Sequence, residues 1–352
     1  MSADGRPLPK VKLDRLLYTH YQHQNLESAN KFFTDFGLHI VEKRDNIIFY
    51  RGFGASPYVY VAEQSPDHVK HFVAGGWLAR SYDDLETAAK LPGASPIQVS
   101  DAPGHGKFVE LQDPNGVGLT IHHGLQLRSK EEQKEEIPAP VTINSWNDKP
   151  RKGEFQRFDT GPSKLHKLGH YGLVVDKSKF KDTVAWYLST FGLAKTDSLY
   201  DEESGEDMMT FMHIDKGEEF TDHHSLFIQS PPPPVPKSYP HHSSFEVDNM
   251  DSQLMGHYHL QGKGWTNCWG VGRHLLGSQI FDYWFDPSGN IVEHYSDGDL
   301  VNSETEVTRE IAAPNTMAVW GPNVTLAFLT TRMEEFGKRP RPSPMEHGAV
   351  AA

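Results

Sequence analysis

Glu293 is the residue whose placement most needs a chemical explanation. It lies in GRHLLGSQIFDYWFDPSGNIVEHYSDGD, residues 272–299, after an Asp286-Pro287-Ser288-Gly289 turn that joins two strand-like runs. Phe281, Tyr283 and Phe285 share one parity on the first run, and Ile291, Glu293 and Tyr295 share one on the second. A carboxylate on the same face as apolar neighbours is costly unless it is paired or bound to a metal. Two histidines on other strand-like runs could accompany it: His170 in LGHYGLVV and His242 in HHSSFEV. His170 shares parity with Leu168 and Val174, whereas His242 stands at the start of its run, beside Ser244 and Glu246, where parity says least. Taken singly each has a plainer reading, a hydrogen-bonded histidine or a Glu293–Arg273 pair. Together, two imidazoles and a carboxylate make the facial ligand set of non-haem Fe(II) oxygenases, which leaves positions open for substrate and oxygen.

The rest of the chain must position these groups. With 352 residues it is long enough for two or more domains. Its net charge of -13 argues against nucleic acid or an anionic membrane surface as the main partner. No apolar run approaches membrane-spanning length, and MSADGRPLPKVKLDR lacks the apolar stretch of a secretory signal, so a cytoplasmic protein is expected. Cys268 is the single cysteine, which excludes chemistry on a cysteine pair. Twenty histidines, by contrast, offer many metal ligands and near-neutral acid–base groups.

Strand, helix and then several strands recur along the chain. Leu13 to Tyr21 reads as a strand and Leu26 to Phe36 as a helix with Ala29, Phe32, Phe33 and Phe36 on one face. Leu168 to Val175 and Phe180 to Leu188 repeat that pair, and Phe-Gly-Leu triplets stand at 36–38 and 191–193. The expected layout is a domain over 12–125, a charged, proline-containing linker over 126–164, a second domain over 165–305 and an extension over 306–352 with a disordered end. Superposing Asp286-Pro287 on Asp113-Pro114 sets Glu293 over Thr120 and His242 over Val69, with His71 nearby. Superposing the triplets sets His170 over Arg15 or, with a shorter connection, over Tyr18. The first half therefore keeps the scaffold and lacks at least two of the three candidate ligands.

The second half resembles the type I extradiol (meta-cleaving) catechol dioxygenases of the vicinal oxygen chelate superfamily. The resemblance rests on LGHYGLVV, on His242-Ser-Ser-Phe-Glu-Val, on Tyr283 followed by a Pro-Ser-Gly turn and Glu293, on Gly272-Arg-His, and on His223-His224-Ser-Leu-Phe. It implies an α+β fold: two tandem domains, each of two βαβββ modules forming curved, barrel-like mixed sheets. It also implies Fe(II), with Mn(II) as an alternative, held by His170, His242 and Glu293. His224 takes the place of the family's acid–base histidine, Tyr283 of its substrate-hydroxyl tyrosine and His274 of a further pocket histidine. The implied reaction is cleavage of a catechol-type ring with O2, giving a 2-hydroxymuconate-semialdehyde-type product, in a homo-oligomer. Gly277 departs from the pattern, because several biphenyl-diol members carry an Asp there. Parity with Leu226 and Ile228 turns His224 rather than His223 inward. Glyoxalase-like metal-dependent isomerases and small-molecule-binding resistance proteins share the scaffold and form the alternative class.

Overall fold

The computed structural model describes residues 9–134, 136–138, 141–158, 160–231, 235–313 and 316–338. The expected disordered end, 339–352, and part of the proline-rich loop at 231–240 lie outside them.

Four βαβββ units follow one another. The first runs from the strand Leu13–His23 through the helix Leu26–Phe36 to Tyr60–Gln64, and the second from His71–Ala79 to Gly118–His123. The third begins with Leu165–Val174 and reaches Leu226–Gln229, and the fourth begins with Tyr239–Val247 and ends on Ile291–Ser296. The first two make an eight-stranded sheet whose strands start, in order, at residues 39, 47, 60, 13, 71, 118, 107 and 98. The last two make a nine-stranded sheet in the order 308, 193, 207, 226, 165, 239, 291, 280 and 267, the same arrangement with one strand added at an edge. The α+β class expected of tandem modules is met.

Local chemistry sets the helices. Asn25 accepts from the Ser28 N–H to cap Leu26–Phe36, and Gly37, at φ 111°, ends it in a left-handed conformation that favours glycine. Ala29, Phe32, Phe33 and Phe36 are buried on one face, as their spacing predicts. That face reaches the second half: Phe36 stacks on His294 with ring centroids 3.8 Å apart. Trp265 donates to Asp35 at 3.0 Å, so one apolar core is continuous across both halves. The charge run of the linker is mostly exposed, but Glu136 anchors it by accepting from Arg51 and Arg128.

Strand register relates the two halves residue by residue. In the second half His170 lies beside Ser244, and Ser244 beside Glu293. In the first half the matching row is Tyr18, Gly76 and Thr120. Glu293 thus corresponds to Thr120 and His170 to Tyr18, but the counterpart of His242, two residues before Ser244, is Ala74 rather than Val69. The error comes from the turn-based superposition, which carries no information about loop length before the strand. In the first half the Tyr18 hydroxyl meets Thr120 at 2.9 Å and His122 at 3.2 Å, so hydrogen bonds between side chains take the place of the His170–Glu293 pairing.

Candidate active site

Three neighbouring strands deliver His170, His242 and Glu293 to one point. Their exposures are 2%, 4% and 0%. The two imidazole Nε2 atoms are 3.1 Å apart, and they lie 3.3 and 3.4 Å from Glu293 Oε2. One ligand atom from each residue falls within 4.8 Å of the others. A bulge between Pro240 and Ser243 explains why strand parity could not place His242: the extra residue rotates His241 and His242 so that both reach the same pocket.

Neither carboxylate oxygen of Glu293 has an aligned hydrogen-bond donor. Burial alone would raise this carboxyl, but the two adjoining imidazoles outweigh it and hold it below the usual range, so it is ionised. Burial pushes His242 down to about 4, which favours the neutral imidazole that a metal needs. A hydrogen bond between the imidazoles would leave the carboxylate poorly served, whereas a cation at their common focus engages all three groups. The residues therefore fit a divalent metal ion. Arg273, the competing partner for Glu293, pairs instead with Asp297 at 2.8 Å.

The other expected residues surround the same pocket. A cavity of 60 Å³ is lined by His170, His224, His242, His274 and Tyr283, with apolar walls that include Phe211, Phe227 and Phe328. His224 packs its ring 4.0 Å from that of His170, just before rather than within the strand Leu226–Gln229. Burial, then the neighbouring imidazoles, pushes it well below the ordinary histidine value. His223 faces away from the pocket, as parity suggested, with Nδ1 at 3.0 Å from His224 Nδ1. His274 Nδ1 contacts the Met317 carbonyl at 2.8 Å, and its Nε2 contacts the Tyr283 hydroxyl at 2.8 Å. Since a carbonyl only accepts and burial keeps His274 neutral, Nδ1 carries the proton and Tyr283 donates to Nε2. Burial and then the Glu293 charge raise the Tyr283 phenol well above its usual value.

Sequence reasoning missed His241, whose Nδ1 lies 2.8 Å from His242 Nδ1. If His242 uses Nε2 for a metal, its Nδ1–H donates to His241, the outer contact that fixes a metal-binding ring. The adjacent His-His pair was the available signal, hidden by an expectation of strict alternation. Trp186, Trp265, Trp269 and Trp284 do not line the cavity. Trp269 instead stacks parallel to Tyr283 with centroids 5.7 Å apart. The segment 318–332 holds a short helix, Leu326–Thr330, that brings Phe328 onto His241 and Tyr283.

Comparison with known proteins meets this geometry at the level of superfamily and fold. Residues 167–294, which carry all three converging groups, match the Glyoxalase/Bleomycin resistance protein/Dioxygenase superfamily. Metapyrocatechase 2 of Cupriavidus necator is 29% identical over 147 residues, 41% of this chain and 41% of that protein, so the match spans about two fifths of the relative's length. Three solved structures share the architecture. The Mn(II)-bound glyoxalase of Novosphingobium aromaticivorans has a TM-score of 0.71 at 20% identity, covering 94% of this chain and 95% of that one. Homoprotocatechuate 2,3-dioxygenase of Arthrobacter globiformis has a TM-score of 0.73 at 17% identity, covering 92% and 93%. An extradiol ring-cleaving dioxygenase of Brevibacterium fuscum has a TM-score of 0.72 at 17% identity, covering 91% and 82%. No helix among the described residues is long and apolar enough to cross a membrane.

Proposed function

We propose that this protein is an extradiol dioxygenase that cleaves a catechol ring beside its diol with O2, using Fe(II) at His170, His242 and Glu293, with Mn(II) as the alternative ion. The observation that carries the reading is the buried, unpartnered Glu293 carboxylate facing two imidazoles on the edge of a pocket that also holds His224 and Tyr283. Metapyrocatechase 2 and the ring-cleaving dioxygenases of the same fold support it. The proposal includes a cytoplasmic location and a homo-oligomeric state.

A metal held by these three residues supplies a Lewis acid that lowers the pKa of a bound catechol oxygen and, as Fe(II), electrons for O2. The remaining work belongs to side chains. Tyr283, donating to His274, keeps its oxygen available to accept from a substrate hydroxyl and so orients the ring. His224, with Nδ1 engaged by His223, uses Nε2 to take a hydroxyl proton from the substrate and return it as the ring opens. Leu199, Met209, Phe211, Phe227, Leu276 and Phe328 exclude water around the ring. Among the described residues, no lysine or arginine lines the cavity. Its small volume and apolar walls favour a single-ring catechol whose substituents are uncharged.

The test is oxygen uptake by anaerobically Fe(II)-loaded protein given catechol and methylcatechols, with product absorbance followed in parallel. Uptake matched mole for mole by a yellow ring-opened product supports the proposal. Absence of uptake by iron-loaded protein overturns it. The glyoxalase of the same fold favours a second reading, a metal-dependent isomerase. Turnover of a hemithioacetal without oxygen uptake would establish it instead.

A further inference from the structure

Behind His224 lies a polar chain that the proposed chemistry has not used. His223 Nε2 contacts Asp197 Oδ2 at 2.6 Å, and His223 Nδ1 contacts His224 Nδ1 at 3.0 Å. All three residues are buried. Asp197 comes from a different strand, Leu193–Tyr200, and its other oxygen accepts from the backbone N–H and hydroxyl of Thr308 on the edge strand Thr308–Ile311. The His223 backbone is fixed as well: its carbonyl accepts from Thr196 at 2.7 Å and its N–H donates to the Asp299 carbonyl at 3.0 Å.

Gly277 makes room for this chain. A Cβ built there would lie 2.9 Å from His223 Nδ1, and the residue sits at φ +77°, where a side chain is strained in any case. The position that departs from the related dioxygenases is therefore the seat of the His223 ring. The carboxylate that orders this corner comes instead from Asp197, on the opposite side of that ring.

We propose that Asp197 and His223 are positioning residues that hold His224 as the Nδ1–H tautomer and so present a bare Nε2 lone pair to the substrate. An ionised carboxylate only accepts, so His223 must carry its proton on Nε2. When His223 carries that proton alone, its Nδ1 is an acceptor and the facing nitrogen of His224 is the donor. A neutral imidazole that donates from Nδ1 has its lone pair on Nε2, the form able to take a proton from a catechol hydroxyl. Without this arrangement His224 could equally carry its proton on Nε2 and offer the substrate only a donor.

The mechanistic role rests on the proposed ring cleavage, but the tautomer does not, and the test separates them. Full-length metal-free protein, labelled with ¹⁵N at histidine, is examined by long-range ¹H–¹⁵N correlation, with His224 assigned from the spectrum of His224→Gln. Wild-type protein is expected to show His224 as the Nδ1–H form. Asp197→Asn is expected to populate the Nε2–H form and to lower kcat by about 10²-fold, with KM changed by no more than about threefold. Thr308→Val, which loosens the edge strand but keeps the Asp197–His223 contact, is expected to leave the tautomer intact and kcat near wild type. An Nε2–H tautomer in wild type overturns the proposal. So does a His224 tautomer that is unchanged in Asp197→Asn, or an equal fall of kcat in Asp197→Asn and Thr308→Val, which would reduce Asp197 to an anchor for the edge strand. If wild-type protein cleaves no catechol, the functional reading fails while the tautomer still decides whether the chain positions His224.

Discussion

Metal loading should stabilise this fold by an amount that the structure allows to be worked out. His170, His242 and Glu293 come from three strands of one sheet, so an ion at their focus ties those strands in the folded state and has no comparable site in the unfolded chain. At a free metal concentration about 1,000 times its Kd, the linkage contributes about 4 kcal/mol. Unfolding entropy near the midpoint scales with length, at about 2.1 cal/mol/K per residue. For 352 residues unfolding as one unit, as the shared core suggests, the expected rise in Tm is about 5 °C. A rise nearer 10 °C would mean that the half carrying the site unfolds on its own. Glu293→Gln keeps the side-chain shape but removes the negative charge, and should abolish both the rise and stoichiometric metal binding. The assay is thermal unfolding under nitrogen with and without Fe(II), with Mn(II) as an air-stable comparison, alongside metal analysis of the dialysed protein. Equal metal-dependent shifts in wild type and Glu293→Gln would refute the assignment of this carboxylate as a ligand.

Three further outcomes follow from the same geometry. Tyr283→Phe removes the hydroxyl that joins His274 to the pocket and should retain iron while lowering kcat/KM by about 10- to 100-fold in the ring-cleavage assay. His241→Ala deletes the acceptor behind His242 and should weaken metal binding by about 10- to 100-fold in a competitive chelator titration. A catechol bearing a carboxylate should be a poorer substrate than its methyl counterpart, by about 10²-fold in kcat/KM, because the described wall offers that charge no cation. Equal kcat/KM for the two would require a basic group at the site.

Much of the scaffold was legible because it is written locally and twice. The helix Leu26–Phe36 announces itself by an apolar stripe and a terminal glycine, and the strand–helix pair recurs at Leu165–Val174 and Phe180–Thr190. Glu293 was legible because a carboxylate among apolar strand neighbours demands a partner. What escaped notice depends on departures from regular geometry or on pairing between distant strands. His241 reaches the pocket only through the bulge beside it, which alternation cannot anticipate. Asp197 meets His223 because of the order of strands in the sheet, and nothing in the residues around Asp197 marks it as a functional carboxylate. Gly277 was visible as an oddity, but its meaning needed the position of the His223 ring.

The half without the ligands still acts on the site. Strand alternation gives His170, His242 and Glu293 each a neighbour on the opposite face of the sheet, and the first half holds all three neighbours. Tyr171, after His170, accepts from the Trp77 indole N–H at 3.4 Å. Ser243, after His242, shares a 2.9 Å hydrogen bond with Tyr21. His294, after Glu293, donates to the Phe36 carbonyl at 2.8 Å while stacking on the Phe36 ring. The Tyr18–Gly76–Thr120 row is not needed for this support, because Tyr21 and Trp77 occupy other positions of the strands Leu13–His23 and His71–Ala79, and Phe36 ends the helix Leu26–Phe36. Ligand geometry must be held within about 0.5 Å to be productive, and such precision comes from neighbours whose own rotamers are locked. The first half supplies that locking, which accounts for a duplicated scaffold in which a single copy of the site is kept.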